Sequence, residues 1–327
     1  MIILLISLLK TSLGNEVIYS KSQLFYHAEV RTLCTQKGDN SSLALSLRTS
    51  MFSPPDSFYL SIDRAIVNLG YQGFEIFIGR ECISWGYGMF YSPFSYARSK
   101  MSPFDEELLK TGKNIAGVRY NNITFMTPEF IVFLPERSPE RDNTKIGLRT
   151  TFFTGNLELH TPLVFSRDSI FSGFGARFSL LDFTLFVDYS LTYRAEELLM
   201  SSVLGFNKFV GNNLYIQAEY FYNQKGLSTE EYDNLSPENL MKNLSPGYTG
   251  RHYLFSTLQW TNQRESTISF YSIIQPFWKS GLAGLSFSNC LFENSMVIFN
   301  LIRVIKGREF EWVPSKYIYS LEFRYYF

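Results

Sequence analysis

Cysteine and histidine are nearly missing from this 327-residue chain, which holds three of each. Cys34, Cys82 and Cys290 are widely separated and odd in number, so they form neither a disulfide framework nor a metal spacing. His27, His160 and His252 stand alone, and no motif places them as metal ligands or catalytic bases. No cofactor and no enzymatic activity are expected. An excess of one charge is missing too: 30 Lys and Arg balance 30 Asp and Glu, which removes any bulk attraction to nucleic acid. A helical membrane span needs roughly 20 apolar residues. The longest apolar run here is MIILLISLL at 1–9, and neither a linker nor a long amphipathic helix follows it.

Aromatic residues are abundant instead: 31 Phe and 21 Tyr bring the aromatic share to 17%, yet mean hydropathy is near zero. Apolar and polar residues must therefore alternate, and they do so with a period of two, the signature of strands with unlike faces. In 183–193, Phe183, Leu185, Val187, Tyr189, Leu191 and Tyr193 oppose Thr184, Asp188, Ser190 and Thr192. In 145–154, Lys145, Gly147 and Arg149 oppose Ile146, Leu148 and Phe152. Segments 174–180 and 214–223 repeat the pattern, each at about the length of a tilted membrane strand.

The last eleven residues are aromatic or Leu at every odd position: Tyr317, Tyr319, Leu321, Phe323, Tyr325 and Phe327. This segment resembles the terminal strand of bacterial outer-membrane β-barrels. The resemblance implies that Tyr325 and Phe327 serve as the signal read by the barrel-assembly machinery, with the cell outer membrane as location. The connections agree. Short turns near 71–73, 121–122, 155–156, 181–182, 211–213, 262–265 and 293–295 alternate with longer stretches at 85–114, 135–144, 166–170, 194–199, 224–250, 276–281 and 306–315. Outer-membrane barrels place short turns in the periplasm and long loops outside.

The expected fold is all-β: a single closed antiparallel transmembrane β-barrel spanning 42–327. Counting from a first strand at 42–49 gives about 16 strands, or 18 if the segment 24–33 and another before it are also strands. Ser12-Leu13-Gly14 after the apolar run matches a small-x-small cleavage site, so 1–14 reads as a signal peptide and 15–41 as an N-terminal segment.

One internal motif stands out. Gly79-Arg80-Glu81-Cys82-Ile83-Ser84-Trp85-Gly86-Tyr87-Gly88, followed by Ser92-Pro93, resembles a GRQ-x-I-x-WG-x-G…SP pattern of alginate-export-type and capsule-assembly-type outer-membrane barrels. Glu81 replaces the usual Gln, so only Gly79, Arg80, Trp85 and Gly86 carry over, in an architectural role. The face pattern slips between Phe74–Ile78 and Ile83–Trp85, which predicts a β-bulge at Gly79-Arg80. Arg80 would then enter the lumen, either in a constriction or paired with Glu75 or Asp63.

Taking the polar face of each strand as the lumen places Arg119, Lys145, Arg149 and Arg177 in one sector. Asp188, Glu219 and Glu322 fall in another, with Arg324 beside Glu322. Separated charges across a narrow pore orient polar solutes; the alternative is interstrand ion pairing. The segment 85–114 carries Tyr87, Phe90, Tyr91, Phe94, Tyr96 and Phe104 and is expected to pack into or across the barrel mouth. The acidic 224–250, with Pro237 and Pro246, reads as a solvated external loop with room for a short helix. The function these features imply is a porin-like channel in outer-membrane lipid for passive diffusion of small polar, anionic or saccharide solutes. The alternative is a structural or polysaccharide-binding barrel with a plugged lumen.

Overall fold

The computed structural model of the chain describes residues 9–20, 23–37, 41–53, 57–81, 83, 85–88, 90, 92–94, 113–135, 144–233, 250–262, 266–277, 279–292, 295–305 and 317–326. These form one antiparallel sheet. Its strands in chain order are β1 (Leu9–Ser20), β2 (Gln23–Lys37), β3 (Ser41–Ser53), β4 (Ser57–Tyr71), β5 (Phe74–Glu81) and β6 (Lys113–Tyr120). Then come β7 (Met126–Phe133), β8 (Lys145–Thr154), β9 (Leu157–Ser166), β10 (Ser169–Leu180), β11 (Phe183–Arg194) and β12 (Glu197–Val210). The last six are β13 (Leu214–Asn223), β14 (His252–Thr261), β15 (Thr267–Gln275), β16 (Ser280–Phe292), β17 (Ser295–Ile305) and β18 (Tyr317–Tyr326). A single described helix, α1 (Thr229–Asp233), lies between β13 and β14.

Each strand pairs antiparallel with the next, and β18 pairs back onto β1, with Ser12 opposite Tyr326 and Tyr19 opposite Tyr319. β1 also pairs with β2 along its whole length. The expected boundary at Gly14 thus falls inside β1. The stretch 15–41, expected to precede the sheet, holds the rest of β1 and all of β2, so the sheet begins before Ser42.

The long-and-short alternation of connections is also less regular than expected. β9 to β10 and β11 to β12 are joined by two residues each. At the second of these, Ala195 and Glu196 both take positive φ, 49° and 66°. This is the handedness that matches strand twist in a two-residue hairpin, adopted without the usual glycine or asparagine. The strands simply run on through the residues that resembled loops.

Alternate side chains fall on two faces. Ile76, Ile78, Leu148, Phe178, Leu204, Leu258 and Leu285 lie exposed on one face. The opposite face is buried and is not purely polar. Ala44, Ile66, Phe77, Ile115, Ile131, Phe133, Val164 and Phe171 of β3 to β10 form one apolar cluster with Trp85 and Phe94. Phe186, Val203, Phe221, Tyr253, Phe255, Ile273, Leu282, Ile302 and Val304 of β11 to β17 form a second with Phe90. Residues of the 85–94 segment therefore complete both clusters. The expected bulge at Gly79-Arg80 does not form, because β5 keeps an unbroken register with β4 and β6. The slip lies on β4 instead: Ser46 faces Arg64 and Leu47 faces Ile62, leaving Asp63 as the extra residue. The face pattern changes because β5 ends at Glu81, so Ile83 and Trp85 lie beyond it, while Gly79 takes φ of 142° within a regular ladder.

Candidate functional site: the inward segment and its charged wall

The segment after β5 crosses the buried face and is held there by two carboxylates. Asp188 on β11 is fully buried, and its Oδ2 accepts the backbone N–H groups of Tyr87 at 2.7 Å and Gly88 at 2.9 Å. Glu219 on β13 is also buried and accepts the N–H of Phe90 at 3.1 to 3.2 Å. Gln217 donates to Glu219 at 2.6 Å, and Tyr215 donates to Gln217 at 2.8 Å, so the second anchor is itself oriented by a short polar chain. A carboxylate accepting N–H groups away from water makes a stronger bond than a neutral acceptor.

Glycines on the wall shape the seat. A β-carbon on Gly147 would lie 2.5 Å from the Trp85 ring, and one on Gly173 would lie 2.2 Å from Phe94. Gly175 stands directly opposite both His160 and Asp188 in register. Its bare position lets those two approach across β10, with His160 Nε2 3.7 Å from Asp188 Oδ1. The rings then fit: Phe90 stacks on Phe255 with centroids 4.0 Å apart, Phe94 meets His160 and Phe171 edge-on, and Trp85 meets Phe133 edge-on. Tyr87 packs on His160 with the Arg177 guanidinium over its ring, and Arg149 lies over Trp85. Burial first, and then the Glu158 carboxylate, push the Tyr87 phenol above its ordinary value, so it stays neutral.

The wall charges are paired row by row. Glu75, Arg119, Glu129 and Arg149 stand directly opposite one another on β5, β6, β7 and β8. Arg119 reaches Glu75 at 3.1 Å and Glu129 at 2.5 Å, while Arg149 reaches Glu129 at 2.8 Å. Arg177 pairs with Glu158, its register partner on β9. The separate basic sector expected from sequence is thus interleaved with Glu75, Glu129 and Glu158. Lys145 lies on the same face as Arg149, opposite Phe133 in register.

Of the other expected positions, Arg80 lies on β5 in register with Ala65 and Asn114, the alternate set to buried Ile66 and Ile115, and donates to Asn114 Oδ1 at 3.3 Å. Its anticipated partner Glu75 is taken by Arg119. The backbones of Glu322, Arg324 and Tyr325 lie in β18, while Phe327 and residues 95–112 are outside the described residues. Sequence reading missed the seat glycines, Glu129, His160 and Gln217. Parity would have found Glu129, since Thr127, Ile131 and Phe133 share its face. Among the described residues no group of three metal-ligating side chains converges.

No protein-family model matches the chain, and no curated protein matches it. Solved structures do. A triple variant of the Rhodopseudomonas blastica porin is similar over 98% of this chain and 99% of its own, at TM-score 0.57 and 11% identity. Another variant of that porin is similar over the same shares at TM-score 0.56 and 12% identity. At such low identity the likeness is one of fold: an all-β antiparallel sheet matching the porin barrel.

Proposed function

We propose that the sheet closes into a single eighteen-stranded barrel in the outer membrane and acts as a porin-like passive channel narrowed by the inward segment at 85–94. The carrying observation is the arrangement of the two faces. The exposed face is a continuous belt of Leu, Ile, Val and Phe on successive strands, far larger than a monomeric protein in water tolerates. The opposite face carries in-register rows of charge. Ion rows have a use where water reaches them, and the apolar belt has one where lipid does. No described helix is long and apolar enough to cross a membrane, and a barrel needs none.

In this reading Tyr325 and Phe327 are the assembly signal. Gly79, Arg80, Trp85 and Gly86 are architectural, as the resemblance to alginate-export-type and capsule-assembly-type barrels implies, since Gly79 permits close strand contact and Trp85 begins the inward segment. One observation favours the second reading, a plugged structural or polysaccharide-binding barrel: Trp85, Phe90 and Phe94 complete two apolar clusters and thereby occupy the middle of the enclosed face. Planar-bilayer recording separates the two. A narrowed channel gives stepwise ohmic conductance on the order of a nanosiemens or less, whereas a plug gives a silent membrane after verified insertion.

A further inference from the structure

A cavity lies beside the inward segment, and its construction is specific. Three strands supply two successive rows. Ser179 on β10, Thr184 on β11 and Asn207 on β12 stand directly opposite one another, and so do Arg177, Phe186 and Gly205 in the next row. Gly205 has no side chain, and the Phe186 ring lies where its β-carbon would be, which closes the back with an apolar surface. The roof is Gly86, Tyr87 and Gly88, already pinned by Asp188. The volume is about 360 Å³, inside the roughly 300 to 1,000 Å³ range of small-ligand sites.

We infer that this cavity, roofed by Gly86–Gly88 and floored by Ser179, Thr184 and Asn207, is a binding subsite for a neutral polyhydroxylated solute of saccharide type. The lining offers two hydroxyls that bond each other at 3.2 Å and still keep spare donor and acceptor capacity. It offers a side-chain amide on Asn207 that makes no hydrogen bond among the described residues, and the planar guanidinium of Arg177. Such groups match alternating hydroxyls. Charge argues against an anion. Arg177 is neutralised by Glu158, and Asp188 lies one row further in, so a carboxylate or phosphate would meet a wall without net positive charge. The cavity lies toward the Leu181-Asp182 turn of the β10–β11 hairpin.

This deepens the channel reading and rests on it for how solute arrives, but the test is independent of conductance. Saturation-transfer difference NMR on the folded full-length protein in detergent, with maltose, glucuronate and inorganic phosphate as probes, should give transfer to maltose protons and none to glucuronate. Phosphate, added as a competitor, should leave the maltose signal intact. Thr184→Val, nearly isosteric, and Asn207→Leu should each weaken maltose binding at least tenfold while heat-modifiable gel mobility shows the barrel intact. No maltose signal, an unchanged signal in both variants, a stronger glucuronate signal, or displacement by phosphate would overturn the assignment. Ohmic conductance without maltose binding rejects the subsite alone; maltose binding with a silent bilayer rejects the channel alone.

Discussion

A methyl group on Gly79 would sit 1.9 Å from the Ala65 carbonyl oxygen, with backbone φ at 142° where a side chain is strained as well. No neighbouring side chain can move aside, because the obstacle is main chain. Gly79→Ala is therefore expected to lower stability by at least about 1–3 kcal/mol, measured as a lower urea midpoint for loss of the folded gel mobility. Gly155→Ala is the control: its φ is 55° but nothing lies within 4 Å, so only the backbone cost of about 1 kcal/mol applies. Asp188 is the other decisive residue. Asp188→Ala strands the N–H groups of Tyr87 and Gly88 at a buried site, at about 1–3 kcal/mol for each unpaired group. At this scale the polar faces were legible because parity alone assigns them. The partners were not, since pairing depends on cross-strand register: nothing near Glu129 in the chain announces Arg119 and Arg149 on its two sides.

The inward segment behaves as one element, with two carboxylate anchors and the rings of Trp85, Tyr87, Phe90 and Phe94 in fitted seats. Replacing Gly173 by Leu fills the place of Phe94 and should expel that end of the segment while Asp188 and Glu219 hold the other. The expected result is a single-channel conductance raised by a factor of about two or more, accompanied by open-channel noise; unchanged conductance would mean the segment does not limit the passage. The α1 turn offers a pH test of a different kind. Ser228 Oγ accepts the Glu231 N–H at 3.2 Å, and Glu231 Oε2 accepts the Ser228 N–H at 2.6 Å, a reciprocal cap that Arg251 extends at 2.9 Å. The Ser228 backbone N–H, more than Arg251, holds the Glu231 carboxyl below its ordinary value. A depressed folded value means the cap contributes above the unfolded carboxylate value, near 4.3. That contribution is lost as pH falls through the lower folded value. Amide exchange at Ser228 and Glu231 should be slower at pH 7 than at pH 3 after correction for intrinsic rates, and Glu231→Gln should remove most of the difference. Elements were readable in sequence wherever polar and apolar residues alternate, as in 183–193. Turns such as Ala195-Glu196 were not, because tight strand pairing imposes positive φ on residues that do not advertise it.

For the whole molecule, a period of two repeated through the chain is enough to separate an exposed apolar face from a buried one, and consecutive hairpins then leave little choice of strand order. The number of strands was harder to read, since the count turns on whether the first forty residues are leader or sheet. The electrostatic consequence of the fold also differs from the sequence expectation. Arg119, Arg149 and Arg177 reach across to Glu75, Glu129 and Glu158, so these rows are balanced over distances shorter than the roughly 8 Å screening length of physiological salt. In the channel reading, balanced rows of this kind add little net potential to the passage, and the unmodified protein should show a reversal potential near zero under a tenfold KCl gradient. Glu129 sits between two guanidinium groups and is the pivot. Glu129→Gln leaves Arg119 and Arg149 facing one carboxylate, Glu75, and should move the reversal potential toward anion selectivity by tens of millivolts, whereas Arg149→Ala should move it the opposite way. Equal and opposite shifts follow only if these rows line the conducting path. A pair of variants that fold, conduct and share the wild-type reversal potential would place the ions' route elsewhere and leave the rows as struts between strands.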